Sequence, residues 1–120
     1  MTVPPRPMEI RVRRATRQLE VDFDDGTRVS LPAELLRVES PSAAVQGHSP
    51  EQKQIVPGKR GVGISAVEPI GHYAVRIRFT DGHDTGIYSW ALLHQMGLEQ
   101  AALWGAYLAA LEQKGLSRDP

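Results

Sequence analysis

One pattern occurs twice in this chain. Leu19, Val21 and Phe23 alternate with polar residues, Asp25-Gly26 follows, Val29 and Leu31 return, and Pro32-Ala33-Glu34-Leu35-Leu36 opens a helical run. Later Val75, Ile77 and Phe79 alternate with Arg76 and Arg78, Asp81-Gly82 follows, and Ser89 precedes Trp90-Ala91-Leu92-Leu93. Alternation with period two is the mark of a strand with one buried and one wet face. Asp-Gly supplies a tight turn, because glycine reaches positive φ without a side-chain clash. Aligning Phe23 with Phe79 superposes the two Asp-Gly pairs, and one inserted residue brings Leu35-Leu36 onto Leu92-Leu93. A two-fold repeat of strand, hairpin, strand and helix is therefore expected, with Thr85 to Tyr88 as the returning strand of the second copy.

This repeat sets the fold class as α+β, antiparallel hairpins with helices over one sheet face. The chain of 120 residues suffices for one core without staples. It has no cysteine, so disulfides, thiolate nucleophiles and thiolate-held metal clusters are excluded. Fourteen Lys and Arg balance fourteen Asp and Glu, and no global field favours nucleic acid or an anionic membrane. Nor does any apolar run reach the roughly 18–20 residues of a membrane span, or the start of the chain resemble a signal peptide. A cytoplasmic protein is expected.

The remaining segments divide around the repeat. Pro4, Pro5 and Pro7 make residues 1–8 a loose lead-in, and Ile10 and Val12 begin a first strand at Glu9. Arginines 6, 11, 13, 14 and 17 read as solvated strand faces rather than an RNA patch, since no aromatic residues interleave for stacking. Residues 38–63 break all periodicity with three prolines and four glycines. Within them Gly58-Lys59-Arg60-Gly61-Val62-Gly63 lacks the Gly-Lys-Ser/Thr and the strand–helix context of a phosphate loop. Strand character resumes at Ile64. Gly97 is expected to stop the helix after Trp90. Leu98, Ala101, Ala102, Trp104, Leu108 and Leu111, widened by Leu103 and Tyr107, then form the stripe of an amphipathic helix over residues 98–114. It either packs back on the sheet or, with Trp104 and Tyr107 as anchors, makes a dimer; a monomer is the expected state. Gly105 inside it implies close packing, and residues 115–120 read as a tail.

Of four histidines, His94 and His72 read as boundary and surface residues. His83, between Asp81 and Asp84, has the best local chemistry, because a carboxylate can orient an imidazole for metal or proton work. No metal spacing, Gly-x-Ser-x-Gly or acid pair completes a catalytic constellation, so no enzyme and no cofactor is expected.

The order Leu-x-Val-x-Phe-x-Asp-Gly, Leu-Pro-Ala-Glu-Leu-Leu-Arg, a loop, Val-x-Ile-x-Phe-x-Asp-Gly-His-x-x-Gly-Ile-Tyr and Trp-x-x-Leu resembles the small domain at the N-terminus of gamma-butyrobetaine hydroxylase. That domain also stands alone in bacteria and is fused to P-loop iron–sulfur carrier ATPases. The likeness covers about Ile10 to Met96, giving a domain over 9–97, and implies a two-layer α+β sandwich and a non-catalytic accessory or protein-interaction domain linked to iron–sulfur assembly or metal-dependent enzymes. In metal-binding members a Cys-Pro-Cys-x-x-Cys cluster and a later histidine hold a structural zinc. Here Ser40-Pro41-Ser42-Ala43-Ala44-Val45 takes the cluster's place and His83 matches the histidine. With His48 as a second donor this would be at best a weak, degenerate site, since tetrahedral zinc needs about four good donors. The alternative function is a small metal- or ligand-binding module centred on His83.

Overall fold

The computed structural model describes residues 4–120. Its first sheet is antiparallel, in the order β1 (Pro7–Arg13), β2 (Gln18–Phe23), β3 (Arg28–Pro32), and leads into helix α1 (Ala33–Val38). A second antiparallel sheet, β4 (Ile64–Ile70), β5 (Ala74–Phe79), β6 (Ile87–Ser89), leads into α3 (Trp90–Leu98). The repeat is therefore larger than a hairpin and a helix: each copy is a three-stranded meander followed by a helix. Of the lead-in expected over residues 1–8, the first three lie outside the described residues, and Pro7 and Met8 already belong to β1. Proline is tolerated there because it opens an edge strand and owes no ladder hydrogen bond on its outer side. The last strand of the second copy is Ile87–Ser89 rather than Thr85 to Tyr88.

The inward faces follow the alternation. Leu19, Val21, Phe23, Val29 and Leu31 from the first sheet meet Ile64, Val75, Ile77 and Phe79 from the second, with Leu35, Leu36, Leu93, Met96 and Tyr88 filling between them. Each buried leucine contributes on the order of 2–3 kcal/mol. Ser89 caps α3, its Oγ accepting from the Leu92 N–H at 3.0 Å. Pro32 stands one position before α1 instead of at its first residue, and the Ala33 N–H donates to the Arg17 carbonyl at 2.8 Å.

Gly97 does not stop α3. It lies within the helix, where an added Cβ would sit 2.0 Å from Val29 Cγ1; its lack of a side chain lets α3 press onto β3. The long connection also carries structure, a short helix α2 (Ala43–Gln46) and a 3-10 turn at Pro50–Gln52.

The C-terminal helix α4 (Gln100–Gln113) departs from the expected stripe. Tyr107 and Leu111 are buried against Val38, with Ile55, Val56 and Trp104 beside them, so α4 packs on the end of α1 and the long loop. The Tyr107 hydroxyl donates to the Val56 carbonyl at 2.6 Å. Leu98, at the end of α3, is 69 % exposed and Leu108 is 39 % exposed. The wheel centred on Leu98 and Leu108 thus faces outward, because the helix turns its Tyr107–Leu111 side to the loop. No side chain or backbone lies within 4 Å of where a Gly105 Cβ would be, so close packing is not why Gly105 is there.

Residues 115–120 are fastened to the domain. Gly58 and Arg60 N–H groups donate to the Ser117 and Arg118 carbonyls at 2.9 and 3.0 Å, and Arg60 pairs with Asp119. Among the described residues no helix is long and apolar enough to cross a membrane.

Candidate functional site

The segment after α1 and the Asp81-Gly82 hairpin meet at one place. Pro41 prevents α1 from continuing, and Ser42 caps α2 by accepting from the Ala44 N–H. On the hairpin, Gly82 takes φ +92, the Phe79 N–H donates to the His83 carbonyl, and the His83 N–H donates to Asp81 Oδ1 at 3.0 Å. These two loops join through paired side chains. Ser40 Oγ and His83 Nε2 are hydrogen-bonded at 2.9 Å, and Ser42 Oγ and Thr85 Oγ1 at 2.7 Å. Below them the Tyr88 hydroxyl donates to the Leu36 carbonyl at 2.5 Å. Gly86 makes the approach feasible, since a Cβ there would stand 2.6 Å from Ser40 Oγ.

The residues matched to a metal cluster in the sequence are thus assembled: Ser40, Ser42 and His83 share a network, with Val45 buried nearby in sequence. His48 is exposed, donating its backbone N–H to Gln52 Oε1, and no polar contact joins it to His83. Among the described residues no three of His, Cys, Asp and Glu group as a metal site. The carboxylate expected to orient the His83 ring holds its backbone instead; the ring's partner is Ser40.

The surroundings of that imidazole favour its neutral form. Burial lowers the His83 pKa, and Arg37 and Lys59 lower it further against the opposing pull of Asp81 and Asp84. Asp81 binds both cations, Arg37 Nε and Lys59 Nζ each at 2.7 Å. Burial alone would raise its pKa, but Lys59, the His83 N–H and Arg37 outweigh this and hold it at about 2. Lys59 and Arg60, the basic pair of the glycine-rich loop, are therefore ion-paired within the chain, to Asp81 and Asp119.

Ser40 and a neutral His83 have the spacing of a hydroxyl and its base. A nucleophile must also be reachable, and Ser40 is fully buried. The network fixes two loops to each other; no substrate atom can approach its hydroxyl.

An open concavity lies elsewhere. A cleft of about 660 Å³ is walled by Pro32, Leu35, Leu98, Ala101 and Trp104, and Glu34 and Arg118 also line it. Arg118 grips Glu34 with two hydrogen bonds, at 2.8 and 2.7 Å, and lies 4.9 Å from the Trp104 ring centroid. Hydrogen bonding to Glu34 raises the Arg118 pKa. The sequence pointed to no role for Arg118 and only a helix-end position for Glu34, and it offered Trp104 as a packing or dimer anchor. A buried glutamate in a short apolar helix was the one available signal, because such a group needs a cation from elsewhere.

A family model described as gamma-butyrobetaine hydroxylase-like, N-terminal, matches residues 10–94. Two NMR solution structures share 41% and 45% identity with the chain, each with a TM-score of 0.84; they cover 98% and 100% of it and 93% and 92% of their own chains. A crystal structure of a protein of unknown function from Acidithiobacillus ferrooxidans, in the DUF971 family, is 43% identical over 77% of this chain and 92% of its own, with a TM-score of 0.65. No curated protein matches.

Proposed function

The chain belongs to the gamma-butyrobetaine hydroxylase-like, N-terminal family, and from that premise we propose that it is a non-catalytic docking domain serving iron–sulfur or metal-dependent enzymes. The observation that carries this is the cleft beside Leu98. An apolar side chain 69 % exposed at the rim of an apolar cleft is what a partner's side chain covers, and an aromatic residue with an arginine across it is typical of the buried centre of an interface. The burial of Ser40 supports the non-catalytic part of the reading. The link to iron–sulfur chemistry rests on the fusion of such domains to P-loop iron–sulfur carrier ATPases.

The test is calorimetric titration of the chain with the P-loop iron–sulfur carrier ATPase of the same cell, together with a photo-crosslinking residue at position 98 and a control at Tyr73. A saturable complex weakened about tenfold or more by Leu98→Glu is expected. No complex, and no adduct at 98 beyond that at 73, overturns the reading.

A second reading is favoured by the assembly of Ser40, Ser42 and His83: a metal- or ligand-binding module centred on His83. A neutral imidazole can coordinate, but serine hydroxyls are weak zinc donors. Zinc titration followed by His83 ring resonances separates the two readings.

A further inference from the structure

Glu34 stands buried in the first turn of α1, and a buried carboxylate left unpaired is costly. Among the described residues its hydrogen bonds and its ion pair all go to one group, the Arg118 guanidinium. The fork of an arginine matches the two oxygens of a carboxylate. On its other side the guanidinium carbon lies over the Trp104 ring, 4.9 Å from its centroid, the arrangement that favours a flat cation. A carboxylate edge and an aromatic face together select guanidinium over ammonium. Beside them the apolar cleft stays open, with Arg118 itself part of its lining.

The acceptor and the cation are held very differently. Glu34 and Trp104 are fixed by α1 and α4. Arg118 comes from the segment after α4, where Gly115 takes φ +65, and of residues 112–120 it alone is not exposed. From Ser117 onward that segment meets the rest of the chain through the Gly58 and Arg60 N–H groups on the Ser117 and Arg118 carbonyls, the Arg60–Asp119 pair and the Arg118 side chain. Arg60 and Asp119 are both exposed, and an exposed pair contributes little.

We propose that Glu34 and Trp104 form an arginine-recognition pocket in which Arg118 is the resident ligand, and that an arginine presented by another chain takes its place when residues 115–120 lift away. The occupant follows from the chemistry. A vacated Glu34 needs one cation with two coplanar donors, Trp104 needs that cation to be flat, and the cleft alongside suits an aliphatic neighbour of the incoming arginine. Residues 115–120 then act as a tethered competitor, and the apparent dissociation constant of the incoming arginine rises by the inverse of the open fraction. This deepens the docking reading by naming what a partner inserts. The existence of a partner rests on that reading, whereas the pocket can be tested without one.

The probe is the amidated peptide Leu-Ser-Arg-Asp-Pro, the sequence of residues 116–120, titrated to millimolar concentration and followed by the Trp104 indole N–H resonance. Saturable binding is expected to the unaltered full chain, and binding about tenfold or more tighter to Arg118→Ala. Against Arg118→Ala, a peptide with lysine in place of arginine should bind about tenfold more weakly, and adding Glu34→Gln should weaken the arginine peptide at least about tenfold. If the unpaired Glu34 unfolds Arg118→Ala, Arg118→Gln keeps a neutral donor there and serves instead. In the unaltered chain the Gly58 and Arg60 amides should be protected from deuterium exchange at least about 100-fold less than those of the central strand β2. No saturable binding to either Arg118 variant, equal affinity for the two peptides, or indifference to Glu34→Gln overturns the pocket. Binding only after Arg118 is removed, or Gly58 and Arg60 protection equal to that of β2, overturns the displacement. Peptide binding without any complex with the iron–sulfur carrier ATPase upholds the pocket and removes that partner, so the two readings fail separately.

Discussion

In the first copy Arg11 on β1 lies across from Glu20 and next to Asp22; in the second, Glu68 on β4 lies across from Arg76 and next to Arg78. The positions correspond and every sign is reversed. The helices show the same correspondence. Arg37 of α1 reaches Asp81 in the turn of the second copy, and His94 of α3 reaches Asp25 in the turn of the first. Where helix end meets third strand, Gly97 clears space for Val29 on one side and Gly86 for Ser40 on the other. The repeat thus preserves contacts rather than residues: an ion pair needs opposite charges in either order, and a close approach needs one glycine on either side. Each copy's helix also serves the other copy's sheet.

The largest effect should come from Gly97→Val. With only 2.0 Å between the added Cβ and Val29 Cγ1, α3 must leave β3, at a cost of about 3 kcal/mol. A Val29→Ala second change should return much of it, read as the midpoint of urea unfolding. If Gly97→Val alone is neutral, the glycine-on-either-side account fails.

Next are the two turn aspartates. Asp81 holds two cations with its side chain 19% exposed, whereas Asp25 holds one histidine at 39%. Asp81→Asn should cost about 1–2 kcal/mol, discounted for solvent screening, and Asp25→Asn clearly less; equal losses would erase the asymmetry. The Asp81 pKa is depressed to about 2 from 3.8, so its stabilisation is complete above pH 4 and lost as pH falls through about 2. Melting temperature against pH for the two variants separates their shares.

His83 gives a smaller slope of the same sign, placed at higher pH. Its folded pKa lies below 6.5, so the unfolded chain binds the proton more readily, and stability declines as pH falls below that value. His83→Gln should flatten the profile between pH 5 and pH 7. In the same region zinc should bind weakly or not at all, and Ser40→Cys with Ser42→Cys and Val45→Cys should create a tight one-to-one site measurable by calorimetry; an untightened triple variant would show that the loop geometry, and not the donor type, is lost.

The smallest expected change is Gly105→Ala. With open space at the Cβ position, it should stabilise by about 0.5–1 kcal/mol through helix propensity, the opposite sign to Gly97→Val.

The repeat and most strands were legible because alternation and Asp-Gly turns are local signals. So was the convergence of Ser40, Ser42 and His83, through family resemblance and not through chemistry. The Arg37–Asp81 and His94–Asp25 pairs were not, since partners 44 and 69 residues apart leave no periodic trace. Gly97 misled because a glycine that ends a helix and one that admits a neighbour look identical in sequence. Arg118 escaped for a similar reason: in a short polar segment nothing distinguishes an arginine in solvent from one clasping Glu34.

The crossed service of helices and turns bears on how such a chain can be cut. Residues 4–46 and 59–120, made as separate polypeptides, should each lack a helix that serves its sheet, and together they would regain the crossed Arg37–Asp81, His94–Asp25 and Gly97–Val29 contacts while losing those of residues 47–58, such as the Tyr107 hydroxyl on the Val56 carbonyl. The intervening loop then acts as a tether that raises the local concentration of one half around the other. A single unit of this design would be viable only as an exchanged pair, so duplication followed by fusion would have turned a bimolecular encounter into a unimolecular one, freeing each half to change its charges as long as the other answered.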